Sequence, residues 1–442
     1  MTSFLAQRLR FLSRKAASRP HLLTASFTTA TAATLAMAIY SPSVVHDDDP
    51  ANADDAKSHH VKNCFGRTTK FRNPYPSAKE ISFTDVMSVM TGRLTGKYTW
   101  PTPKLEDGLL NVVEPSFLEN RTGSPQLRAT WLGHACYYVE FPSGLRVLFD
   151  PVFEDHCAPV RSQGLKRYTP PPCELSALPH VDAVLISHSH YDHLSHSSVL
   201  EVKKHHPNAH FFVGLGLEKW FRASGIDNVT ELDWWDGVDL KLVPQPAAGS
   251  AKGIKDTASE TATPEPISAR ISCLPCQHAS GRGLLDQNST LWCSWAVQSG
   301  GSSPDAPPAK SVWFGGDTGY RTVTKMAEGE DDYGPQHQDL PRCPQFKQIG
   351  ERFGSFDLGL IPIGAYAPRE VFSPVHANPF DAVEIFRDTK CKKAMAIHWG
   401  TWVLTPEEPL EPPRLLREAL RRRGIAETGV FDVCDIGETR EF

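Results

Sequence analysis

The spacing of hydrophobic and polar positions changes along the chain and marks where a regular fold begins. From Leu127 onward, short apolar runs end in Gly, His or Asp, the pattern of strands separated by tight loops. Leu127 to Leu132, Tyr137 to Phe141 and Arg146 to Phe149 read as antiparallel strands, with Pro142-Ser143-Gly144 supplying a hairpin turn. Val181 to Ile186, Phe211 to Gly214, Ile267 to Leu274, Leu291 to Val297, Val312 to Gly315, Leu358 to Ile361 and Ala394 to Ile397 continue the series. Helices are expected at Ser195 to His206, Leu217 to Ser224, Pro379 to Thr389 and Pro413 to Arg423. Strands first, then strands alternating with helices, predict an α/β fold of two mixed sheets packed face to face with helices outside. No period of a solenoid or propeller is present.

The segments outside these runs read differently. Residues 58 to 127 are rich in Pro, Gly and charge, which predicts an irregular extension with one helix near Ile81 to Thr91, wrapped on the main domain. Residues 246 to 266 and 299 to 309 are low-complexity surface loops, and 327 to 344 form a third polar insertion. Residues 1 to 46 lack Asp and Glu, while Arg8, Arg10, Arg14, Lys15 and Arg19 punctuate apolar and hydroxyl residues. That is the composition of a mitochondrial presequence. Leu22 to Val45 is uncharged and long enough for a membrane anchor, although only modestly apolar. The acidic run Asp47 to Asp55 reads as a solvated linker. The expected division is therefore 1–46 leader with anchor, 47–126 linker and extension, and 127–442 main domain.

Composition narrows the classes of function. The chain has 442 residues, 40% hydrophobic and 10% aromatic, enough for a sizeable core. A formal net charge of −5 gives no global electrostatic reason to bind nucleic acid. Ten cysteines from Cys64 to Cys434 show no disulfide framework. Cys273-x-x-Cys276 has no second pair to answer it and reads as plain strand-end thiols.

The chemistry concentrates in Ser187-His188-Ser189-His190-Tyr191-Asp192-His193, directly after an apolar strand. Imidazole nitrogens and a carboxylate at this spacing suit zinc, or iron and manganese less selectively, and can serve two adjacent metals. Further donors stand at the ends of other strands: His278, then Asp317 behind Gly315-Gly316, then His398. Each alone is a weak signal, and the ordered series is a strong one.

With that series the sequence resembles the metallo-β-lactamase superfamily, whose αββα sandwich carries such a ligand set. The resemblance implies one metal on His188, His190 and His278, a second on Asp192, His193 and His398, and Asp317 bridging them. Further blocks narrow it: Trp131-Leu132-Gly133-His134, Leu185 through Leu194, Glu231-Leu232-Asp233-Trp234-Trp235, Gly316-Asp317-Thr318-Gly319-Tyr320, Ile361-Pro362-Ile363-Gly364-Ala365-Tyr366 and His398-Trp399-Gly400-Thr401. They are similar, in order, to the N-acylphosphatidylethanolamine-hydrolysing phospholipase D family over roughly residues 125 to 442.

What the resemblance implies is a phospholipid substrate at a membrane surface, cut to phosphatidic acid and an N-acylethanolamine, and a homodimer. Two zinc ions about 3.5–4 Å apart would share a hydroxide that attacks phosphorus. His376 matches an active-site histidine of the family and is the candidate donor to the leaving alkoxide. Tyr191 either faces substrate or packs over the metal loop. Arg282 either holds the phosphate or lies on the surface. His134 is either an outer partner of the site or a turn residue. The stretch Phe153 to Cys173, with Arg161, Lys166, Arg167 and Pro170-Pro171-Pro172, either meets an anionic membrane or is an ordinary stiff loop. Alternatives on the same scaffold are a thioesterase, a lactonase, a nucleic-acid phosphodiesterase and a metal-binding scaffold without turnover. The leader places the expected enzyme in the mitochondrion, associated with the inner membrane.

Overall fold

Strand β1 (Ile39–His46) is the first element in the computed structural model, which describes residues 39–46, 57–159, 165–245, 265–283, 285–300, 308–324, 327 and 330–442. A hairpin of β2 (His60–Lys62) and β3 (Thr68–Phe71) follows. Helix α1 (Phe83–Leu94) is started by a reciprocal cap between Ser82 and Asp85. Then come β4 (Arg128–Gly133), β5 (Cys136–Glu140), β6 (Arg146–Phe149) and β7 (Ala183–Leu185). Helix α2 (His196–His205), β8 (His210–Gly214), α3 (Glu218–Ala223) and β9 (Val229–Leu232) complete the first half. The second half opens with β10 (Gly237–Gln245), β11 (Ile267–Leu274), β12 (Ser294–Ser299) and β13 (Lys310–Phe314). It continues through α4 (Gln345–Phe353), β14 (Leu358–Pro362), α5 (Arg369–Phe372) and α6 (Pro379–Asp388). The last elements are β15 (Lys393–Ile397), α7 (Glu411–Arg422), β16 (Phe431–Asp432) and β17 (Thr439–Glu441).

Two large sheets result, one of eight strands ordered β1-β10-β11-β12-β13-β14-β15-β16 and one of seven ordered β17-β4-β5-β6-β7-β8-β9. Each is antiparallel at one end and parallel at the other, the parallel parts being β13 to β16 and β6 to β9. Side-chain alternation explains the layering. Ala183 and Leu185 of β7 enter the core between the sheets, whereas Val184 and Ile186 join an outer cluster with Val199, Val202 and Phe221. A strand covered on both faces is apolar throughout, so this one reads as an unbroken run. Between the sheets, Trp131, Tyr137 and Leu185 meet Ile271, Trp295 and Leu360, and the rings of Phe149 and Phe314 lie 4.7 Å apart. Each such side chain contributes about 1.5–3 kcal/mol, so the strand ends are held on a rigid support. Helices cover the outer faces, α2 and α3 on one sheet and α4 and α6 on the other, with Trp313 against Phe346. This is the expected αββα sandwich.

Several expectations change. Leu291 to Cys293, read as the start of a strand, leave the ladder: Leu291 N donates to Leu215 O and Cys293 N to Ser187 O, both at 2.9 Å. The segment thereby ties loops of the two sheets together. Residues 39–46, read as the end of a leader and anchor, pair with β10 along their whole length. The rest of that segment, residues 1–38, lies outside the described residues. Among the described residues no helix is long and apolar enough to cross a membrane.

The extension is less irregular than its composition suggests, because the β2–β3 hairpin is latched. His59 Nε2 and His60 Nε2 lie 2.7 and 2.8 Å from the two carboxylate oxygens of Asp233. The polar insertion at 327–344 is anchored where described, with Tyr333 OH donating to Asp381 (2.5 Å) and Arg369 Nε to Asp332 (2.9 Å). The low-complexity stretches at 246–266 and 299–309 fall mostly outside the described residues. Arg167, expected on a basic surface, is buried with its guanidinium 4.8 Å from the Trp402 ring, and Arg161 is not among the described residues.

Candidate metal centre

The carboxyl ends of strands from both sheets meet at one rim, and the donors stand there. The β7 strand runs into the loop Ser187 to His193. His278 follows β11, Asp317 follows β13 and His398 follows β15. Close approach of the two rims needs Gly316, whose φ is +57° and where a Cβ would come within 2.6 Å of the Ser187 side chain. His398 also sits at positive φ, held by its N–H to His134 O at 3.0 Å.

Two donor clusters form. In the first, His190 Nδ1 lies 2.8 Å from His188 Nε2 and 3.2 Å from His278 Nε2. In the second, Asp192 Oδ2 lies 3.5 Å from His193 Nε2 and 3.4 Å from His398 Nε2. Asp317 stands between them: Oδ1 is 3.2 Å from His193 Nε2, and Oδ2 is 3.0 Å from His398 Nε2 and 3.6 Å from His278 Nε2. Every ligand named from the sequence is brought into this cluster.

The donor set fits divalent cations. His278 Nδ1 faces Val375 O at 2.8 Å and His193 Nδ1 faces Asp150 Oδ2 at 2.7 Å. Those oxygens only accept, so both Nδ1 atoms carry the proton and a neutral ring points its Nε2 lone pair inward. Ser187 Oγ donates to Asp150 (2.5 Å) and so accepts from His188 Nδ1 (2.9 Å), which fixes the same tautomer in His188. His193 Nε2, His398 Nε2 and Asp317 Oδ1 are buried without a hydrogen-bond partner, and His398 Nδ1 also lacks one. Buried, converging and unsatisfied donor atoms are what a bound cation would resolve.

Charge tells the same story. Burial pushes His188 and His278 well below the usual imidazole range, so both are neutral ligands. Burial opposes ionisation of Asp317, yet the charges of His193 and His398 hold it well below the usual carboxylate range. Conversely, burial works against a charged His193, but Asp317 and Asp192 draw it well above its usual value. Without cations, protons gather on imidazoles beside two carboxylates, and metal binding would displace them.

The supporting residues resolve individually. His376 reaches the centre, with its Nδ1 3.8 Å from Asp317 and its ring 5.1 Å from that of His278, and burial brings its pKa to about 4. His134 is an outer partner of the site, its Nε2 3.1 Å from Asp192 Oδ2, and burial lowers it to about 3. Arg282 packs between the Tyr191 and Trp220 rings, 4.8 and 5.0 Å away. Its Nε donates to Ser189 O at 2.7 Å and its Nη2 to Leu194 O, so it clasps the metal loop from behind. Tyr191 forms one wall of that clasp.

Sequence reading missed Asp150, which holds His193 and the Ser187 backbone. The signal was present, since Asp150 ends the Arg146 to Phe149 strand at the same rim. A further His59, His60 and Asp233 group lies elsewhere. Both oxygens of Asp233 already accept imidazole N–H groups, and Trp234 N donates to one of them at 2.9 Å, so the group is a satisfied latch.

Comparison with known proteins agrees with this geometry. Residues 145–399 match the family model described as Beta-lactamase superfamily domain. N-acyl-phosphatidylethanolamine-hydrolyzing phospholipase D 1 of Caenorhabditis elegans is 36% identical over 321 residues, 71% of this chain and 76% of that protein. The mitochondrial N-acyl-phosphatidylethanolamine-hydrolyzing phospholipase D of Saccharomyces cerevisiae is 32% identical over 334 residues, 74% of this chain and 59% of that one. Among solved structures, isothiocyanate hydrolase from Delia radicum gut bacteria aligns with a TM-score of 0.45 at 15% identity, covering 71% of this chain and 99% of that chain. The chain belongs to the N-acylphosphatidylethanolamine-hydrolysing phospholipase D family of the metallo-β-lactamase superfamily.

Proposed function

We propose that this metal-dependent phosphodiester hydrolase acts on N-acylphosphatidylethanolamine, releasing an N-acylethanolamine and leaving phosphatidic acid. The observation that carries the reading is the pair of donor clusters joined by Asp317, in a chain 36% identical to a relative named for that reaction. His188, His190 and His278 would hold one zinc ion, Asp192, His193 and His398 the other, and Asp317 would touch both. Zinc held there supplies Lewis acidity, making water nucleophilic near neutral pH and neutralising charge that gathers on phosphate oxygens.

The protein's own groups set the geometry. Asp150, Ser187 and Val375 O hold the outward nitrogens of His193, His188 and His278, so that each neutral ring turns its other nitrogen toward the metal. Arg282 keeps the loop that carries four ligands from opening. Water adds to phosphorus and the bond to the ethanolamine oxygen breaks, while His376 at the rim, neutral beforehand because it is buried, takes up the proton that the water loses and passes it to the departing oxygen. Tyr191 borders the same rim and lines the approach of substrate.

A mitochondrial location is supported by the basic, acid-free composition of residues 1–46 and by the yeast relative named mitochondrial. A phospholipid substrate extends this reading to association with a membrane of that organelle, with the inner membrane as the proposed site.

The test is metal content of the purified protein alongside release of N-acylethanolamine from micellar N-acylphosphatidylethanolamine, with Asp317→Asn as control. About two zinc ions per chain and turnover lost in the control are expected. Two metals with no release from this lipid would move the substrate to another ester.

A further inference from the structure

The opening part of the N-terminal extension is basic, whereas the chain as a whole is acidic. Residues 57 to 104 hold nine Lys and Arg against two Asp and Glu, a balance of +7 in a chain whose net charge is −5. All nine basic residues are exposed.

The same segment turns apolar side chains to solvent in a regular pattern. Helix α1 buries Val89 and Gly92 on its inner face. Its outer face presents Phe83 (77% exposed), Met87 (40%), Met90 (55%) and Leu94 (85%). Successive separations of four, three and four residues set these on one stripe. Phe65, in the turn between β2 and β3, is 83% exposed. An aligned apolar stripe on a helix, unlike scattered exposed residues, marks a surface that meets something.

This surface is fastened beside the metal centre. Asn73 Nδ2 donates to the carbonyl of the ligand His278 (2.7 Å), and Ser77 Oγ donates to Gln277 (2.6 Å). Tyr98 OH donates to Glu370 in α5 at 3.2 Å, just before His376 in the chain. Gly92 allows the Tyr98 ring to lie against α1, since a Cβ there would meet it at 2.3 Å.

We propose that α1 and the β2–β3 turn form a docking surface for an anionic lipid bilayer. Phe83, Met87, Met90 and Leu94 enter the interface, and the exposed Lys and Arg side chains face acidic headgroups. Charge decides between a bilayer and a second copy of the chain. Two copies meeting through this face would set Arg93 of α1 and Arg67 of the β2–β3 turn among like charges, whereas an anionic leaflet complements them. The inference rests on the phospholipid reading, because a two-chain lipid leaves its bilayer at high cost and the docked face lies next to the centre that would receive it.

The experiment is co-sedimentation of the full chain with vesicles of phosphatidylcholine alone, or with one third phosphatidylglycerol. The variant Phe83→Gln/Met87→Gln/Met90→Gln/Leu94→Gln changes only exposed positions and uses a good helix former. The wild type is expected to favour the anionic vesicles, less so in high salt. The variant should bind about 100-fold more weakly, with unchanged thermal midpoint, metal content and hydrolysis of a water-soluble phosphodiester. Wild-type binding by the variant overturns the proposal. So does a variant that keeps vesicle binding but changes from dimer to monomer in gel filtration, which assigns the stripe to a second copy. Failure of the phospholipid reading is distinguishable, because it shows as no N-acylethanolamine release by wild type whatever the vesicle result.

Discussion

Asp150 accepts a 2.7 Å hydrogen bond from His193 Nδ1 in a fully enclosed position, and the same carboxylate takes the N–H and hydroxyl of Ser187. One side chain therefore aims a ligand and pins the loop that bears three others. Asp150→Asn keeps the positive φ of +38°, which Asn tolerates, but removes the charge and one acceptor. Metal affinity is expected to fall about 10–100-fold, read by competition with a chelator. Undiminished affinity would show that His193 is oriented without it.

Arg282 tests whether the clasp or a substrate contact is its role. Arg282→Gln removes the bonds to Ser189 O and Leu194 O and the stacking on Tyr191 and Trp220. Loss of metal and about a tenfold lower kcat/KM are expected, with excess metal restoring much of the rate. A rise in KM alone, at full metal content, would instead place the guanidinium on the substrate phosphate.

The latch on Asp233 predicts a pH dependence. Burial opposes ionisation of this carboxyl, but the hydrogen bond and charge of His59, with the charge of His60, hold its pKa below the usual value. A depressed folded value means the unfolded state binds more protons between the two values. The stabilisation is then complete above about pH 3.9 and is lost as pH falls through the folded value. At neutral pH, Asp233→Ala should speed hydrogen exchange in residues 57–71 on the order of 10²-fold, by removing the acceptor that His59 and His60 share. Corrected for intrinsic exchange rates, the difference from wild type should vanish in strong acid. Equal protection at pH 7 would show that the hairpin is held by packing alone.

The strand ends and the ligand order were readable because both are local. An apolar run such as Val181 to Ile186 must be buried on both faces, and the donors follow such runs directly. Which residues the outer partners hold was not readable. Asp150 and Val375 O act on His193 and His278 across 43 and 97 residues of chain, so no spacing rule announces them. Arg282 reads from sequence as either a phosphate contact or a surface residue, because residue type is visible and direction is not. It reaches back 93 residues to Ser189 O. β1 reads as part of the leader because an edge strand that pairs on one side needs no strong pattern of its own.

The sequence by itself determined that this chain builds a sandwich of mixed sheets and carries seven candidate metal ligands at strand ends. Periodicity and donor chemistry are properties of short segments. Only the tertiary structure decided which nitrogen of His188, His193 and His278 faces inward, that Arg282 clasps the loop from behind, and that a basic extension with an apolar helix is fastened beside the site. Each of those depends on a hydrogen bond or close approach between residues far apart in the chain, and packing of the two sheets is what brings those residues together.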